Sequence, residues 1–414
     1  MSTGAVATRP LVDVRADFPV LQRRFNGKRL VYLDSGASAQ KPRQVIEAME
    51  RFYSISYGTV HRGVYELGRE ATELFEGARE RIAAFVGWDP ACSIYTRNAT
   101  EAINLVAYAW GRDHVGAGDE VLITEMEHHS NIVPWQLLCE ETGARLRYLS
   151  VSDSGELSLD ELDAVLAEGR VKLVAFTHVS NVLGTLNPVA EIVRRARAAG
   201  AVTLIDGAQA VPQLPVDLGE IDADFYAWTG HKALGPTVGM LHGRRELLKE
   251  MRPFLGGGHM ISRVEREHSS WNELPWKFEA GTSAIAEAIG LGAAVDYLAE
   301  VGMENVRAHE RDLTLYGLER LAEVEGIHIF GPTDLDRRGG VISFAIDGMH
   351  AHDIAELCDR EAVCVRAGHH CAQPLMRLLG VAATARATFQ VYNSREDVDA
   401  LVSALHGARK VFRL

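Results

Sequence analysis

The chain has no apolar run long enough to form a transmembrane helix. Its first residues, MSTGAVATRPLVDVRADF, lack a basic start followed by an apolar core, so no signal peptide is expected. Positive charge is in deficit. The 43 lysines and arginines face 56 acidic residues, a net charge of -13, which argues against bulk binding of nucleic acid or of acidic membranes. There is no Cys-x-x-Cys or His-Glu-x-x-His spacing, no P-loop, and no Gly-x-Gly-x-x-Gly after the first strand, so neither an intrinsic metal site nor a nucleotide site is expected. Two His-His pairs do not change this, because adjacent side chains in extended chain point to opposite sides. Cysteines are few, scattered and odd in number (Cys92, Cys139, Cys358, Cys364, Cys371). That fits a reducing cytosol, with at least one thiol free for chemistry.

What is present is ordinary globular composition, 47% hydrophobic and 24% charged over 414 residues, enough for two or three domains. From about residue 90 to 245 short apolar runs alternate with helical patterns. The expected strands are Ser93–Thr96, Glu120–Thr124, Arg145–Ser150, Val171–Phe176 and Val202–Ile205 ending in Asp206. Helices are expected over Thr100–Trp110, Ile132–Glu141, Leu159–Ala167 and Pro188–Ala199. This alternation implies an α/β fold with a mostly parallel sheet covered on both faces, its functional loops at the strand C-terminal ends. Asn98-Ala99-Thr100, His128, Asn181 and Asp206 all fall there. A helix-rich bridge, Ala284 to Leu321, leads to a smaller α+β domain. That domain has strands at Gly340–Ile346, Cys364–Arg366 and Ala383–Tyr392, and helices at His352–Arg360 and from Arg395 onward.

Two segments carry the chemistry. Asp206-Gly207-Ala208-Gln209 closes a buried strand, and Thr229-Gly230-His231-Lys232 follows another. Alone, Lys232 would be a solvated charge and Asp206 a helix cap. Together they are the parts of a pyridoxal phosphate (PLP) site. The lysine forms the Schiff base, and the acid keeps the pyridine nitrogen protonated. Thr100 at a helix start suits a phosphate, and His128 is placed to stack on the ring and move protons. The second focus is Val365 to Pro374, where Cys371 sits in a glycine-containing loop near histidine and arginine, a setting for a nucleophilic thiol. Cys364, Cys358 and Cys139 follow apolar patterns and read as inert filler.

These segments together resemble the SUF-type (SufS-like) cysteine desulfurases of the class V aminotransferase group, from Asp17-Phe18-Pro19 to the C-terminal helix. The matching segments include Tyr32–Ser35, Val60–Gly63, Glu127–Trp135, His178–Gly184, Phe278–Thr282 and Arg366–Pro374. The resemblance implies a fold type I PLP homodimer, cytoplasmic, with residues 31–298 as the cofactor-binding domain and 299–414 as the small domain. Residues 1–30 would pack on the latter. It assigns the Schiff base to Lys232, the pyridinium partner to Asp206, the phenolic-oxygen contact to Gln209 and stacking to His128. Thr100, Thr229 and His231 would hold the phosphate, with Thr282 reaching in from the neighbouring subunit. Asn181 and Arg386 would hold the substrate carboxylate, with Arg366 nearby. Cys371 would accept sulfur from L-cysteine, leaving alanine, and pass it to an acceptor protein for iron-sulfur cluster assembly. The closest likeness is to the subgroup served by a zinc-containing SufU-like acceptor, where a histidine matching His352 takes one zinc coordination site. Three positions depart from the family pattern: Asn98-Ala99 stands for Gly-Thr, and Ser283 for Pro. The rival readings are a selenocysteine lyase or aminotransferase of the same fold, and a catalytically silent scaffold for docking sulfur carriers.

Overall fold

The computed structural model describes residues 11–25 and 27–413. Of the N-terminal segment expected over residues 1–30, residues 1–10 and Asn26 lie outside the described residues. At the centre is a seven-stranded sheet. In chain order its strands are β1 (Ser93–Thr96), β2 (Glu120–Thr124), β3 (Arg145–Leu149), β4 (Val171–Thr177), β5 (Val202–Asp206), β6 (Phe225–Thr229) and β7 (Gly239–Gly243). In space they run β1-β7-β6-β5-β4-β2-β3. Strands β2 to β6 pair in parallel. β7 is antiparallel to both β6 and β1. The link from Gly230 to Val238 that carries Lys232 is too short for a crossover helix, so the chain turns back on itself.

The inner strands are largely apolar because both faces are covered, whereas the edge strand β3 carries Arg145 and Arg147 and is only partly buried. Alternate residues of one strand enter different clusters. Val121 and Ile123 pack with Trp135 and Leu138, while Leu122 joins the cluster holding Phe75, Ile82 and Leu298. The first face is covered by α3 (Ala99–Val106) and α4 (Val133–Thr142). Helices α1 (Arg43–Arg51), α2 (Glu66–Phe85), α5 (Leu159–Ala167), α6 (Val189–Ala198) and α7 (Ile285–Val301) contribute to the second. Each fully buried aliphatic or aromatic side chain contributes roughly 1.5–3 kcal/mol.

After α8 (Met303–Leu321) comes an antiparallel sheet of β8 (Ile327–Phe330), β9 (Val341–Ile346), β10 (Arg366–Gly368) and β11 (Thr384–Thr388), ordered β8-β9-β11-β10. It packs with α9 (Ala351–Arg360) and α11 (Arg395–Phe412) through Ile354, Cys358, Leu401 and Leu405. The described N-terminal residues lie against this region. Arg15 donates to Tyr392 O (3.0 Å), and Arg29 pairs with buried Asp397 (2.6 Å).

The elements differ from the sequence reading at a few places. The Thr100–Trp110 helix widens into a π-turn over Ala107–Gly111, and Pro188 precedes its helix as N-cap. The strand expected over Cys364–Arg366 is split. Val363–Cys364 pairs in parallel with Val31–Tyr32, whereas Arg366 begins β10. The Ala383–Tyr392 strand stops at Thr388, because Asn393 folds back on Gln390 (N to O, 2.9 Å). β7 was not anticipated.

Candidate active site

The C-terminal ends of the parallel strands open on a cavity of about 260 Å³. Of the residues singled out in the sequence, Thr100, His128, Asn181, Asp206, Gln209, Thr229, His231, Lys232, Arg366, Cys371 and Arg386 line it. Thr282 is exposed and does not line this cavity, and His352 is exposed on the first turn of α9, away from it.

Burial lowers the Lys232 amine to about 8, against the opposing pull of Asp206. Burial also raises the Asp206 carboxyl, while Lys232 and the Ala208 N–H (3.0 Å) pull it back. Glycine is required after Asp206 for space. A Cβ on Gly207 would lie 2.1 Å from the ring of Tyr226. Gln209 donates one amide hydrogen to Gly36 O (2.7 Å). At the start of α3, Asn98 Oδ1 accepts from Glu101 N (3.0 Å), with Asn98 in extended backbone. The departure from Gly-Thr therefore installs a helix cap, and Ala99 and Thr100 face the cavity at the positive end of the helix.

His128 is oriented by Ser130, whose N–H donates to Nδ1 (3.1 Å). The proton of the neutral ring therefore sits on Nε2. Burial and the nearby Lys232 hold this imidazole down to about 3, so it stays uncharged at neutral pH. Glu127 beneath it is fully buried and accepts from Thr124 Oγ1 (2.5 Å), Asn131 Nδ2 (2.6 Å) and Thr177 N (3.0 Å). Burial outweighs these donors and pushes its carboxyl up to about 8.

On the opposite wall Arg386 is buried. Its Nη1 donates to Asn181 O (2.9 Å), its Nη2 stands 3.5 Å from Asp34, and its Nε has no partner. Burial lowers it to about 10. Arg366 grips Asp34 with two nitrogens, Nε at 3.0 Å and Nη2 at 2.9 Å. Asn181 donates one of its two amide hydrogens to His370 O (2.7 Å). Cys371 sits in a turn closed by Ala372 N to His369 O (2.9 Å). His370 and Cys371 both have left-handed backbone, φ 52° and 56°. It is the exposed cysteine. Cys92, Cys139 and Cys358 are buried, Cys364 is half-buried, and burial raises all four thiols.

Sequence reasoning missed several residues of this wall: Asp34 between the two arginines, Ser130 behind His128, and His129 against the Cys371 loop. Asp34 lay in a matched segment, but its partners are distant in sequence. Among the described residues no three His, Cys, Asp or Glu side chains gather as a metal ion requires, and no helix is long and apolar enough to cross a membrane.

A model of the aminotransferase class-V family matches residues 31–401. The chain is 47% identical to the cysteine desulfurase of Haloferax volcanii, covering 96% of this chain and 97% of the relative. Among solved structures, the apo cysteine desulfurase of Thermococcus onnurineus NA1 superposes with a TM-score of 0.92 at 36% identity, over 99% of this chain and all of that one. The S-sulfonic acid form of Escherichia coli cysteine desulfurase CsdA gives 0.90 at 37% identity, over 98% and 99%. The chain belongs to the aminotransferase class-V family and, within it, to the cysteine desulfurases. It is an enzyme with the fold type I architecture expected from its sequence.

Proposed function

We propose that this enzyme uses PLP to convert L-cysteine to L-alanine, leaving the sulfur as a persulfide on Cys371. The observation that carries the reading is one cavity lined by a buried lysine of lowered basicity, a buried acid and the one exposed cysteine. These residues fit the cofactor. Lys232 supplies the amine for covalent attachment, Asp206 an acid for the ring nitrogen, and Gln209 a remaining amide hydrogen for the phenolic oxygen. Thr100, Thr229 and His231 would hold the phosphate at the start of α3. Bound there, PLP supplies an electron sink for negative charge at the substrate Cα.

The chain's own residues do the rest. Arg386, with its unpartnered Nε, takes the substrate carboxylate together with Asn181 and Arg366. Lys232, once displaced, removes the Cα proton, and its lowered basicity keeps a fraction neutral near pH 7. His128 holds a proton on Nε2 facing the cavity. The Cys371 thiolate attacks the substrate sulfur. As the S–S bond forms, the Cβ–S bond breaks and its electron pair stays on Cβ, which takes a proton to become the methyl group of alanine.

The reading extends to a homodimer, supported by exposed apolar residues at Tyr53, Ile55, Tyr57, Val64 and Tyr65. In it the exposed Thr282 serves the partner's phosphate site. It also extends to sulfur delivery for iron-sulfur cluster assembly in the SUF system, in the cytoplasm, where free cysteines persist. The acceptor is a SufU-like zinc protein met at exposed His352. Residues 31–298 and 299–414 act as cofactor and small domains, with the N-terminal segment on the latter.

The test is direct. Purified protein should be yellow and release alanine from L-cysteine. Lys232→Ala should lose the colour, whereas Cys371→Ala should keep it and lose both the persulfide and the release of alanine. A colourless wild type, or full turnover by Cys371→Ala, would overturn the proposal.

A further inference from the structure

Helix α10 (Gln373–Leu378) begins two residues after Cys371, and its N-cap, Ala372, has no side chain able to cap it. The first amide of the helix is satisfied from another element. Gln373 N donates to Nε2 of His129 (3.0 Å). Cys371 O, on the other side of Ala372, accepts from His129 N (2.7 Å). One residue thus holds the chain at Cys371 itself and again two positions later. Since Gln373 N is a donor, His129 Nε2 is unprotonated and the neutral ring carries its hydrogen on Nδ1.

The grip has something to hold. Left-handed backbone is unfavourable for a non-glycine residue, because its Cβ crowds the following carbonyl, and His370 and Cys371 adopt it in succession. The turn persists because its surroundings fix it. Asn181 Nδ2 and Thr384 Oγ1 hold His370 on one side, at 2.7 Å from its carbonyl and 2.9 Å from its ring. His129 holds Cys371 and Gln373 on the other. His129 is itself anchored, because Glu127 ties this loop to the ends of β2 and β4 through Thr124 and Thr177.

We propose that His129 is a positioning residue for the nucleophile: it clasps the Cys371 loop to the wall of the cavity and so holds the thiol where it meets the substrate sulfur. This rests on the reading of Cys371 as sulfur acceptor. The decisive feature is the acceptor at the Nε2 position, which a glutamine can reproduce and an asparagine is too short to reach.

The experiment compares wild type, H129A, H129N and H129Q as PLP-loaded proteins. Hydrogen–deuterium exchange is followed on peptides covering residues 369–376, and persulfide formation on Cys371 is followed in a single turnover by mass spectrometry. The spectral change on adding L-cysteine reports the cofactor side. H129A and H129N should exchange faster by roughly fivefold to tenfold, the loss of one hydrogen bond. They should form persulfide slower by a similar factor, with the cysteine-induced spectral change within twofold of wild type. H129Q should recover most of both losses. If H129A fails to fold, H129N against H129Q decides the matter. Wild-type rates of exchange and persulfide formation in H129N, or an H129Q as impaired as H129N, would overturn the clasp while leaving the desulfurase reading intact. A wild type that forms no persulfide on Cys371 would sink that reading and this role with it.

Discussion

Replacing Gly207 with alanine adds one methyl group next to Asp206, and the structure says what it strikes. The new Cβ would lie 2.1, 2.2 and 2.3 Å from Cε1, Cζ and Oη of Tyr226. Gly207 is not among the positive-φ glycines, so its requirement is room, not backbone freedom. Tyr226 is 1% exposed, and its hydroxyl is 3.0 Å from His178 Nδ1. The ring must retreat by on the order of 1 Å to restore ordinary contact, through a close-packed interior. Overpacking of this kind costs about 1–3 kcal/mol, and loss of the tyrosine hydrogen bond about 1 kcal/mol more. A total of about 2–4 kcal/mol is a large share of a stability of roughly 5–15 kcal/mol. The assay is urea unfolding at fixed PLP, with Gly207→Ala, Tyr226→Leu and the double variant forming a cycle. If the clash is the cause, the leucine should return at least about 1 kcal/mol as coupling energy. PLP affinity should fall in the single variant too, since Asp206 is adjacent. A single variant within about 0.5 kcal/mol of wild type, or strict additivity in the cycle, would refute the reasoning.

Two further outcomes are expected. His178, His242 and His370 are buried, and burial depresses them to about 4, 3 and 3. Their stabilising contribution is therefore complete above the unfolded value of 6.5 and is lost as pH falls through the folded values. Near pH 5 unfolding should take up about three protons on their account, a slope of about 4 kcal/mol per pH unit. A urea midpoint unchanged between pH 6.5 and 5 would contradict this. His352→Ala should leave persulfide formation near normal but slow turnover stimulated by a zinc-containing acceptor, read as alanine released per minute. An unchanged acceptor response would return His352 to an ordinary surface histidine.

Much of the fold was legible because it is local. The apolar run ending at Asp206 is β5, and Leu159–Ala167 is helical to the residue, opened by Ser158 accepting from Glu161 N (3.2 Å). The segments carrying Asp206 and Lys232 could be read for the same reason, since each follows directly on a strand. What stayed hidden is non-local. Asp34 meets Arg366 across 332 positions, and His129 meets Gln373 across 244. No pattern of spacing contains such pairs. β7 escaped because Gly239-Met240-Leu241-His242-Gly243 has glycine at both ends and a histidine inside. That histidine is tolerated only because Ser93 and Trp228 meet its two ring nitrogens, at 2.9 and 2.8 Å. The helix His352–Arg360 starts one residue earlier than its sequence suggests, at Ala351. It is His350 that caps it, accepting from His352 N (3.3 Å).

The same burial that hides the site from sequence patterns also sets its charge. Around the proposed carboxylate position stand two guanidiniums, Arg366 and Arg386, and one carboxylate, Asp34. Burial keeps His128 and His370 neutral at pH 7, at about 3 each, so neither adds a charge. The balance at that wall is one positive charge. Asp34 binds Arg366 with two bonds but reaches Arg386 only at 3.5 Å, and Arg386 keeps a buried Nε without a partner. A buried cation left in this state gains by accepting an anion. One monocarboxylate completes the neutralisation. A second carboxylate on the same ligand would find no further guanidinium at this wall, and its desolvation would go uncompensated there. On this reasoning the wall suits an amino acid with a neutral side chain. The thiol of cysteine is such a side chain, and it leaves the sulfur free to meet Cys371, the sulfur acceptor we propose.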